Sequence, residues 1–393
     1  MKSGLITLAL AVAFSFAACN KEFEDIGKTP AAIVPAGPTL AALISSDTSY
    51  SFFQALLTKA GAGAPAAYAN ANLRLTAFVP NNNGFRASGI PSAAVVTAAF
   101  SQAQAIGITS YVITPQLLPL ENIPTTFPNL QAPTLLNPTA GTPAFSPFVS
   151  LSIFPSKRGT GAWVNNVPLL GTNVMAANGI IHNPAVLVTP PSTTLWSRIS
   201  TDADMTYFRA AITRGDSAQV GTGRIDSLLN LPVGPNFTVF VPSNLAMQQL
   251  LTAQITQALI AQGLPPATAA ATAATLASTP SVFSNPLLYS ALTAQTVKGL
   301  VVYHILGSRA FSVNLPTTAT SVPTLLNAAV ASHPGVSLTA TFLGPFVSAA
   351  TVKGIANPTA STILINPASG TGTSDQHYLN GVLHKINQVL RPQ

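Results

Sequence analysis

The chain has 393 residues, and its 17 Lys or Arg and 10 Asp or Glu residues make only 7% of it charged, against about 25% in an ordinary soluble domain. Hydrophobic residues make up 48%, and 26 Gly with 33 Pro stay below the share typical of low-complexity chains, which argues against intrinsic disorder. The net charge of +7 comes from a shortage of acids rather than from clustered bases, so no nucleic acid partner is expected.

The first 18 residues have the parts of a secretory signal peptide: Lys2, an apolar run over residues 5–16, and small residues before Cys19. Cys19 is the only cysteine, and together with the two alanines before it this site resembles the lipobox of bacterial lipoproteins. The resemblance implies that residues 1–18 are removed and that Cys19 is acylated, which makes membrane lipid a partner. A cleaved signal peptide followed by an unmodified thiol is the alternative. Beyond residue 18 no apolar run of about 18 residues follows, which argues against a polytopic membrane protein.

Residues 19–36 are predicted to form a flexible tether, because they contain prolines and show no apolar periodicity. Three of the ten acids lie between Asn20 and Asp25, directly after Lys21. A Lys followed by acids just after a lipidated Cys resembles the surface-export tether of lipoproteins in the Bacteroidetes. That resemblance implies an outer-membrane protein that faces the cell exterior. A merely solvated linker, on a protein of the periplasmic face, is the alternative.

The rest of the chain contains an internal repeat of four sequence blocks in the same order. We therefore predict two copies of one domain, at residues 37–191 and 192–393. The offset between the copies grows along the chain, which places about 30 extra residues in the second copy, at about 251–285. Because this stretch is rich in Ala, Gln and Leu, we expect it to be helical, with a break near Pro265-Pro266. The blocks begin at Leu40, Thr76, Pro133 and Asn178 in the first copy and at Leu195, Thr238, Pro323 and Asn380 in the second.

The first block is predicted to be helical in both copies. Asp47 and Asp202 are candidate N-caps, since an Asp before an apolar stretch accepts hydrogen bonds from the free N–H groups of the first turn. In the second copy the apolar face that follows includes Met205, Phe208 and Ile212.

The second block is predicted to be a strand that ends at Pro80 or Pro242, because proline cannot donate to a sheet. Asn81 and Ser243 then stand where a cap of the next helix is expected. The last block contains Asn-Gly, which is typical of a hairpin with a type I′ turn. It predicts that residues 173–176 pair with 180–188, and that residues 377–379 pair with 382–390.

These blocks resemble the fasciclin domain. Residues 238–247 are similar to its Thr-Val-Phe-Ala-Pro-Thr-Asn motif, Tyr303-His304 to its Tyr-His pair, and residues 380–384 to its closing Asn-Gly-Val-Ile-His motif. The first copy has Tyr111-Val112 in place of the Tyr-His pair. The resemblance implies an α+β fold with two tandem fasciclin-like domains, each a wedge or sandwich of β-strands with helices packed around it. It also implies that the motif residues have a structural role. These residues are Thr76, Phe78, Pro80, Asn82, Asn178, Gly179, His182, Thr238, Phe240, Pro242, Asn244, Tyr303, His304, Asn380, Gly381 and His384.

No reactive constellation emerges from the sequence. Glu121 is the only glutamate beyond the tether, and no nucleophile elbow, H-E-x-x-H or phosphate-binding loop occurs. His304 and His384 are expected to be neutral core residues. His377 and Asp375 lie near His384 in sequence, but no close spacing of His, Cys and acids supports a metal site. We therefore predict no catalytic residue, no metal, no cofactor and no enzymatic activity.

The functional expectation follows from the family resemblance. Fasciclin-like domains are extracellular or cell-surface modules for adhesion and for contact with matrix, protein or polysaccharide. We therefore expect a lipid-anchored surface protein that binds a protein or polysaccharide ligand. The alternative is an accessory or structural subunit of an outer-membrane assembly, such as a nutrient-uptake complex.

Overall fold

The computed structural model describes residues 37–138, 149–219, 221–368 and 370–393. The predicted signal peptide, Cys19 and the tether lie outside the described residues. Below, residues 37–191 are called the first half and residues 192–393 the second half. Among the described residues, no helix has the length and apolar character needed to cross a membrane.

Short helices pack around the sheets in both halves. In the first half they are α1 (Leu40–Ser46), α2 (Ser51–Ala60), α3 (Asn82–Ala87), α4 (Ala93–Ala99) and α5 (Gln102–Tyr111). In the second half they are α6 (Leu195–Thr201), α7 (Thr206–Asp216), α8 (Ile225–Leu229), α9 (Asn244–Ala261), α10 (Pro266–Leu276) and α11 (Ala294–Tyr303).

Most of the strands are short. Those of the first half are β1 (Leu75–Phe78), β2 (Ile113–Thr114), β3 (Ala132–Pro133), β4 (Ser152–Ile153), β5 (Pro155–Arg158), β6 (Gly161–Val164), β7 (Val167–Ala176) and β8 (Gly179–Pro184). Those of the second half are β9 (Phe237–Pro242), β10 (Ile305–Leu306), β11 (Thr320–Val322), β12 (Val336–Leu343), β13 (Phe346–Lys353), β14 (Ser361–Thr362), β15 (Gln376–Tyr378) and β16 (Gly381–Ile386).

The two halves share the centre of one sheet topology. The first half has a six-stranded sheet in the order β2-β1-β8-β7-β6-β5, and the second half has a four-stranded sheet in the order β10-β9-β16-β15. In each, the central pair is parallel, β1 with β8 and β9 with β16, and its neighbours on both sides are antiparallel. The second half adds a sheet in the order β11-β12-β13-β14. With helices packed on these sheets, the fold class is α+β, as the sequence predicts.

Each half has its own apolar core, and a smaller apolar cluster joins them. Leu40, Phe53 and Phe78 belong to the core of the first half, while Leu195 and Phe208 belong to that of the second. The joining cluster contains buried side chains from both halves, so the halves pack against each other through apolar surface. Its buried members are Phe154, Trp163, Phe311, Val313 and Val382.

The predicted caps of the first block are confirmed, with one difference. Asp47 accepts a hydrogen bond from Ser49 N–H and Asp202 from Asp204 N–H, both at 2.8 Å. Each Asp caps a single 3-10 turn that leads directly into α2 or α7. The predicted apolar face of α7 is also confirmed, because Phe208 is 1% exposed.

Helices are present where the sequence predicts them after residue 251, in α9 and up to Leu276 in α10. The break falls where it is predicted: α9 ends at Ala261, and α10 begins at Pro266, where proline is tolerated because the first-turn N–H groups have no helical partner. The caps of α3 and α9 are also confirmed, since Asn81 and Ser243 each accept a hydrogen bond from a first-turn N–H.

Both Asn-Gly sequences lie in hairpins, as predicted, but the predicted type I′ turn is wrong. Ala176 pairs with Gly179 and Tyr378 with Gly381, so the glycine begins the second strand and the asparagine is the last residue of the turn. Neither asparagine nor glycine has a positive φ in either copy, which a type I′ turn requires. The second strands also end at Pro184 and Ile386, earlier than predicted.

The glycines are needed for a different reason. A Cβ atom at Gly179 would lie 2.4 Å from the carbonyl oxygen of Leu75, and one at Gly381 would lie 2.5 Å from that of Phe237. Such contacts are far inside van der Waals distance. The glycine therefore lets β8 and β16 approach their parallel partners β1 and β9.

Candidate functional site

The most repeated feature of the two halves is a histidine stacked on a phenylalanine across the parallel strand pair. His182 lies over Phe78 with ring centroids 5.6 Å apart and an interplanar angle of 28°. His384 lies over Phe240 at 5.7 Å and 25°. Both pairs occupy the same register in their sheets, and both histidines are fully buried.

The hydrogen bonds of His182 define its protonation. Asn173 N–H donates to its Nδ1 at 3.3 Å, so the proton is on Nε2, which donates to the carbonyl oxygen of Leu118 at 2.9 Å. Asn173 has a left-handed backbone with φ of 57°, which turns its N–H towards the ring. Burial lowers the pKa of His182. The imidazole is therefore a neutral structural group.

His384 repeats this arrangement in the second half. Asp375 N–H donates to its Nδ1 at 3.3 Å, and its Nε2 donates to the carbonyl oxygen of Ala310 at 2.9 Å. Asp375 has φ of 55°, like its counterpart Asn173. Its carboxylate accepts hydrogen bonds from the backbone N–H and the hydroxyl of Ser312, at 2.6 and 2.7 Å. Both histidines thus close equivalent networks in which each ring nitrogen has a backbone partner.

The threonines of the second block hydrogen-bond to the same loop whose carbonyl oxygen accepts from the histidine Nε2. Thr76 Oγ1 donates to the carbonyl oxygen of Gln116 and accepts from Leu118 N–H, both at 2.8 Å. In the second half Thr238 Oγ1 donates to Ser308 at 2.7 Å and accepts from Ala310 N–H at 2.8 Å. Each threonine therefore satisfies two backbone groups inside the fold.

The asparagines of the second block hold the turn before α2 or α7. Asn82 Oδ1 accepts from Phe52 N–H at 3.1 Å, and its Nδ2 donates to the carbonyl oxygen of Thr48 at 2.9 Å. Asn244 makes the equivalent bonds, with Tyr207 N–H and the Ala203 carbonyl oxygen, at 3.2 and 2.9 Å. Pro242 ends β9 as predicted, whereas β1 ends at Phe78, before Pro80; both prolines are buried.

The asparagines of the last block fix the start of each half. Asn178 Oδ1 accepts from Leu40 N–H at 2.7 Å, and Asn380 Oδ1 accepts from Leu195 N–H at 2.9 Å. The Asn380 amide also donates to the carbonyl oxygen of Leu229 at 2.7 Å. Both asparagines are 0% exposed, so these side chains replace solvent for buried backbone groups.

The Tyr-His pair is internal as well. Tyr303 donates its hydroxyl to the Gly335 carbonyl oxygen at 2.6 Å. His304 accepts from Leu390 N–H through Nε2, so its Nδ1 carries the proton and donates to the Leu300 carbonyl oxygen. Burial lowers the pKa of His304 to about 4. In the first half Val112 stands at this position.

The groups that lie near His384 in sequence do not form a ligand set. His377 Nε2 accepts from the guanidinium of Arg309, the Asp375 carboxylate is bound by Ser312, and both ring nitrogens of His384 have backbone partners. Among the residues that the structure describes, no group of three or more His, Cys, Asp or Glu side chains is placed to hold a metal ion.

A surface crevice between the halves is the feature that sequence reasoning missed. Its volume is about 580 Å³, and both halves line it. Thr189, Ser192 and Thr193 of the connecting segment are exposed there, with prolines between them. Neutral hydroxyls and amides beside flat proline surfaces can hydrogen-bond a neutral polar polymer without a large desolvation cost. The only sequence signal was the Pro-Pro-Ser-Thr-Thr run that joins the repeats. Lining residues from the two halves include Asn165, Asn166, Pro168, Pro367, Gln376 and Tyr378.

A second exposed feature is the tip of the β12–β13 hairpin. Leu343 is 77% exposed and Phe346 is 65% exposed, on either side of a turn that contains Gly344 with φ of 60°. Two large apolar side chains at a hairpin tip are available for contact with another surface.

Comparison with known proteins gives a likeness among solved structures. No family model matches the chain, and no curated protein matches it. Among solved structures, the chain is similar to a FAS1 domain pair from the insect cell adhesion molecule Fasciclin I. The two are 15% identical, the match covers 88% of this chain and 98% of that chain, and the TM-score is 0.34. A TM-score of this size decides nothing about ligand or activity.

Proposed function

We propose that this chain is a lipid-anchored cell-surface protein with two tandem fasciclin-like domains, and that it binds a protein or polysaccharide outside the outer membrane. In this proposal Cys19 carries the lipid and residues 19–36 give reach. The described halves supply the binding surface, and their role is contact rather than turnover.

The observation that carries the proposal is the matched set of internal networks in the two halves. The closing Asn-Gly-x-x-His motif makes the same backbone contacts around His182 and His384, although the two copies are 202 residues apart. These motif side chains are buried and have backbone partners, so they support a module that presents its surface. That surface is poor in charge, and the crevice between the halves offers neutral hydrogen-bonding groups.

The anchor and the binding role are tested separately. Growth with a labelled fatty acid should label the wild-type chain and not the Cys19→Ser variant, and only the wild type should sediment with outer membranes. Vesicles that carry the purified lipidated chain should then be retained on an array of matrix proteins and polysaccharides. Vesicles without protein are the control. Absence of retention on every array element would contradict the binding role.

The accessory-subunit alternative gives a different outcome. A membrane protein that co-purifies in fixed stoichiometry from native membranes, together with no retention on the array, would replace adhesion by assembly with a neighbouring membrane protein.

A further inference from the structure

A buried arginine lies at the junction of the halves. Arg309, in the loop after β10, is 5% exposed. Its Nη1 donates to His377 Nε2 and to the Tyr378 carbonyl oxygen, and its Nη2 donates to the Leu379 carbonyl oxygen at 3.0 Å. The guanidinium carbon also lies 4.6 Å from the ring centroid of Phe154, in the first half. The Arg309 Nε has no hydrogen-bond partner although it is buried.

No acid neutralises this cation within the described ranges. The ion pairs found there join Arg198, Arg224 or Lys385 to aspartates, and none includes Arg309. The acceptors around the guanidinium are neutral: two are backbone carbonyl oxygens, and His377 Nε2 accepts a hydrogen bond from Arg309 and so carries no proton of its own. A buried charge without a counter-charge is destabilising, so a site of this kind favours an anion. A guanidinium has five N–H donors, so the three bonds above leave two of them unused: the Nε N–H, which is buried, and one Nη2 N–H.

Arg309 lines a small cavity between the halves. The cavity has a volume of about 60 Å³. Gln131 and Ser152 of the first half and Asn236 of the second line it as well. Their amides are held in place, because Gln131 Nε2 donates to Ser152 Oγ at 3.0 Å and Asn236 Nδ2 donates to Gln131 Oε1 at 2.6 Å. The site is thus polar, preorganised and positively charged.

We propose that this cavity binds a small carboxylate, which accepts a hydrogen bond from the unused Nη2 N–H of Arg309. A carboxylate suits this donor because a hydrogen bond from a guanidinium N–H to a carboxylate oxygen is charge-assisted and about twice as strong as a neutral one. One guanidinium balances one negative charge, so a singly charged anion leaves no excess charge buried. The volume fits an acetate-sized group and excludes a larger ligand from full entry. Because both halves line the cavity, the bound anion stabilises their junction.

The test uses acetate as the probe on the purified full chain. Acetate should raise the thermal midpoint saturably, by roughly 2–5 °C at about one hundred times its dissociation constant. Acetamide, which has the same shape without the charge, should have no such effect. Sodium chloride at matched ionic strength should not reproduce the rise. A chloride effect equal to that of acetate would overturn the assignment to a carboxylate.

Two variants connect the effect to the cavity. Arg309→Met should abolish the acetate-dependent rise. Arg158→Met is the matched control, because Arg158 also crosses the junction, donating to the Leu315 carbonyl oxygen and lying 4.1 Å from the Phe342 ring centroid, but does not line this cavity. It should keep the acetate effect. An acetate effect that persists in Arg309→Met would overturn the proposal.

A measurement on the unaltered chain keeps the proposal falsifiable if Arg309→Met does not fold. In saturation-transfer NMR, magnetisation should pass from protein protons to the acetate methyl group. Formate should reduce this signal by competing with acetate for the cavity. Absence of transfer at millimolar acetate, together with an unchanged midpoint, would overturn the proposal.

Discussion

Removal of the Asn380 side chain should destabilise the second half strongly. In Asn380→Ala, Leu195 N–H loses its acceptor and the Leu229 carbonyl oxygen loses its donor. Because the Asn380 side chain is fully buried, water does not replace these bonds, and each unsatisfied buried group costs about 1–3 kcal/mol. We therefore expect the free energy of unfolding to fall by about 2–6 kcal/mol.

Urea denaturation measures this loss, and the chain has a suitable reporter. It contains two tryptophans, Trp163 and Trp196, and Trp196 directly follows Leu195 in α6. In a Trp163→Phe background, the fluorescence of Trp196 therefore follows the region that Asn380 holds. The control is Asn83→Ala, because Asn83 is exposed and its Oδ1 accepts only from Arg86. This control should change stability by less than about 0.5 kcal/mol. A loss below about 1 kcal/mol in Asn380→Ala would refute the structural role of the motif.

Three further predictions concern close approach, protonation and a buried ion pair. Gly381→Ala should lower the thermal midpoint of unfolding by several degrees, because its Cβ would lie 2.5 Å from a carbonyl oxygen. Gly299→Ala is the control: it lies inside α11, where a Cβ meets no atom within 4 Å, and should raise the midpoint slightly. Equal effects of the two substitutions would contradict this. His304 has its pKa lowered to about 4, below the unfolded value of about 6.5, so its contribution to stability is complete above pH 6.5 and falls by up to about 3 kcal/mol between pH 6.5 and 4. The midpoint of urea unfolding should depend less steeply on pH in His304→Gln than in the wild type over this range. An unchanged pH dependence would exclude His304 as the source of the stability loss. Lys385 is 7% exposed, and its ammonium lies 3.0 Å from the Asp202 carboxylate. Lys385→Met should lower the free energy of unfolding by about 1–3 kcal/mol. A double-mutant cycle with Asp202→Asn measures the coupling between the two side chains.

Local signals predicted the parts of the fold that depend on neighbours in sequence. Asp47 and Ser243 were recognisable because a cap acts on the N–H groups of its own first turn. Pro266 was recognisable because proline stops one helix and can begin the next. The internal repeat added the order of the blocks, which one copy alone would not have given.

The turn at the last block was mispredicted for an informative reason. Asn-Gly is typical of type I′ turns, but here contacts with residues far away in sequence determine the backbone of both residues. The Asn178 side chain accepts a hydrogen bond from Leu40 N–H, and Gly179 lies against the carbonyl oxygen of Leu75. The sequence pattern was right about the hairpin and silent about these contacts, which join residues more than 100 positions apart.

The second sheet of the second half and the crevice were not predicted. Val336, Leu338 and Ala340 alternate with polar residues and are buried on one side of β12, so the signal for this strand was present in the sequence. The Arg309 cavity had no sequence signal, and the crevice had only the Pro-Pro-Ser-Thr-Thr run, because their residues come together only when the two halves pack.

The way each half begins has a mechanical consequence. Ala177 N–H donates to the carbonyl oxygen of Pro38, and Leu379 N–H donates to that of Thr193, at 2.8 and 2.9 Å. The start of each half is thereby fastened to the turn that precedes its last central strand, β8 or β16. A pull on the two ends of a half therefore runs lengthwise along that strand and loads its ladder bonds in shear, all together. If the chain is anchored as proposed above, each half would resist such tension better than a domain whose terminal strands peel away one bond at a time.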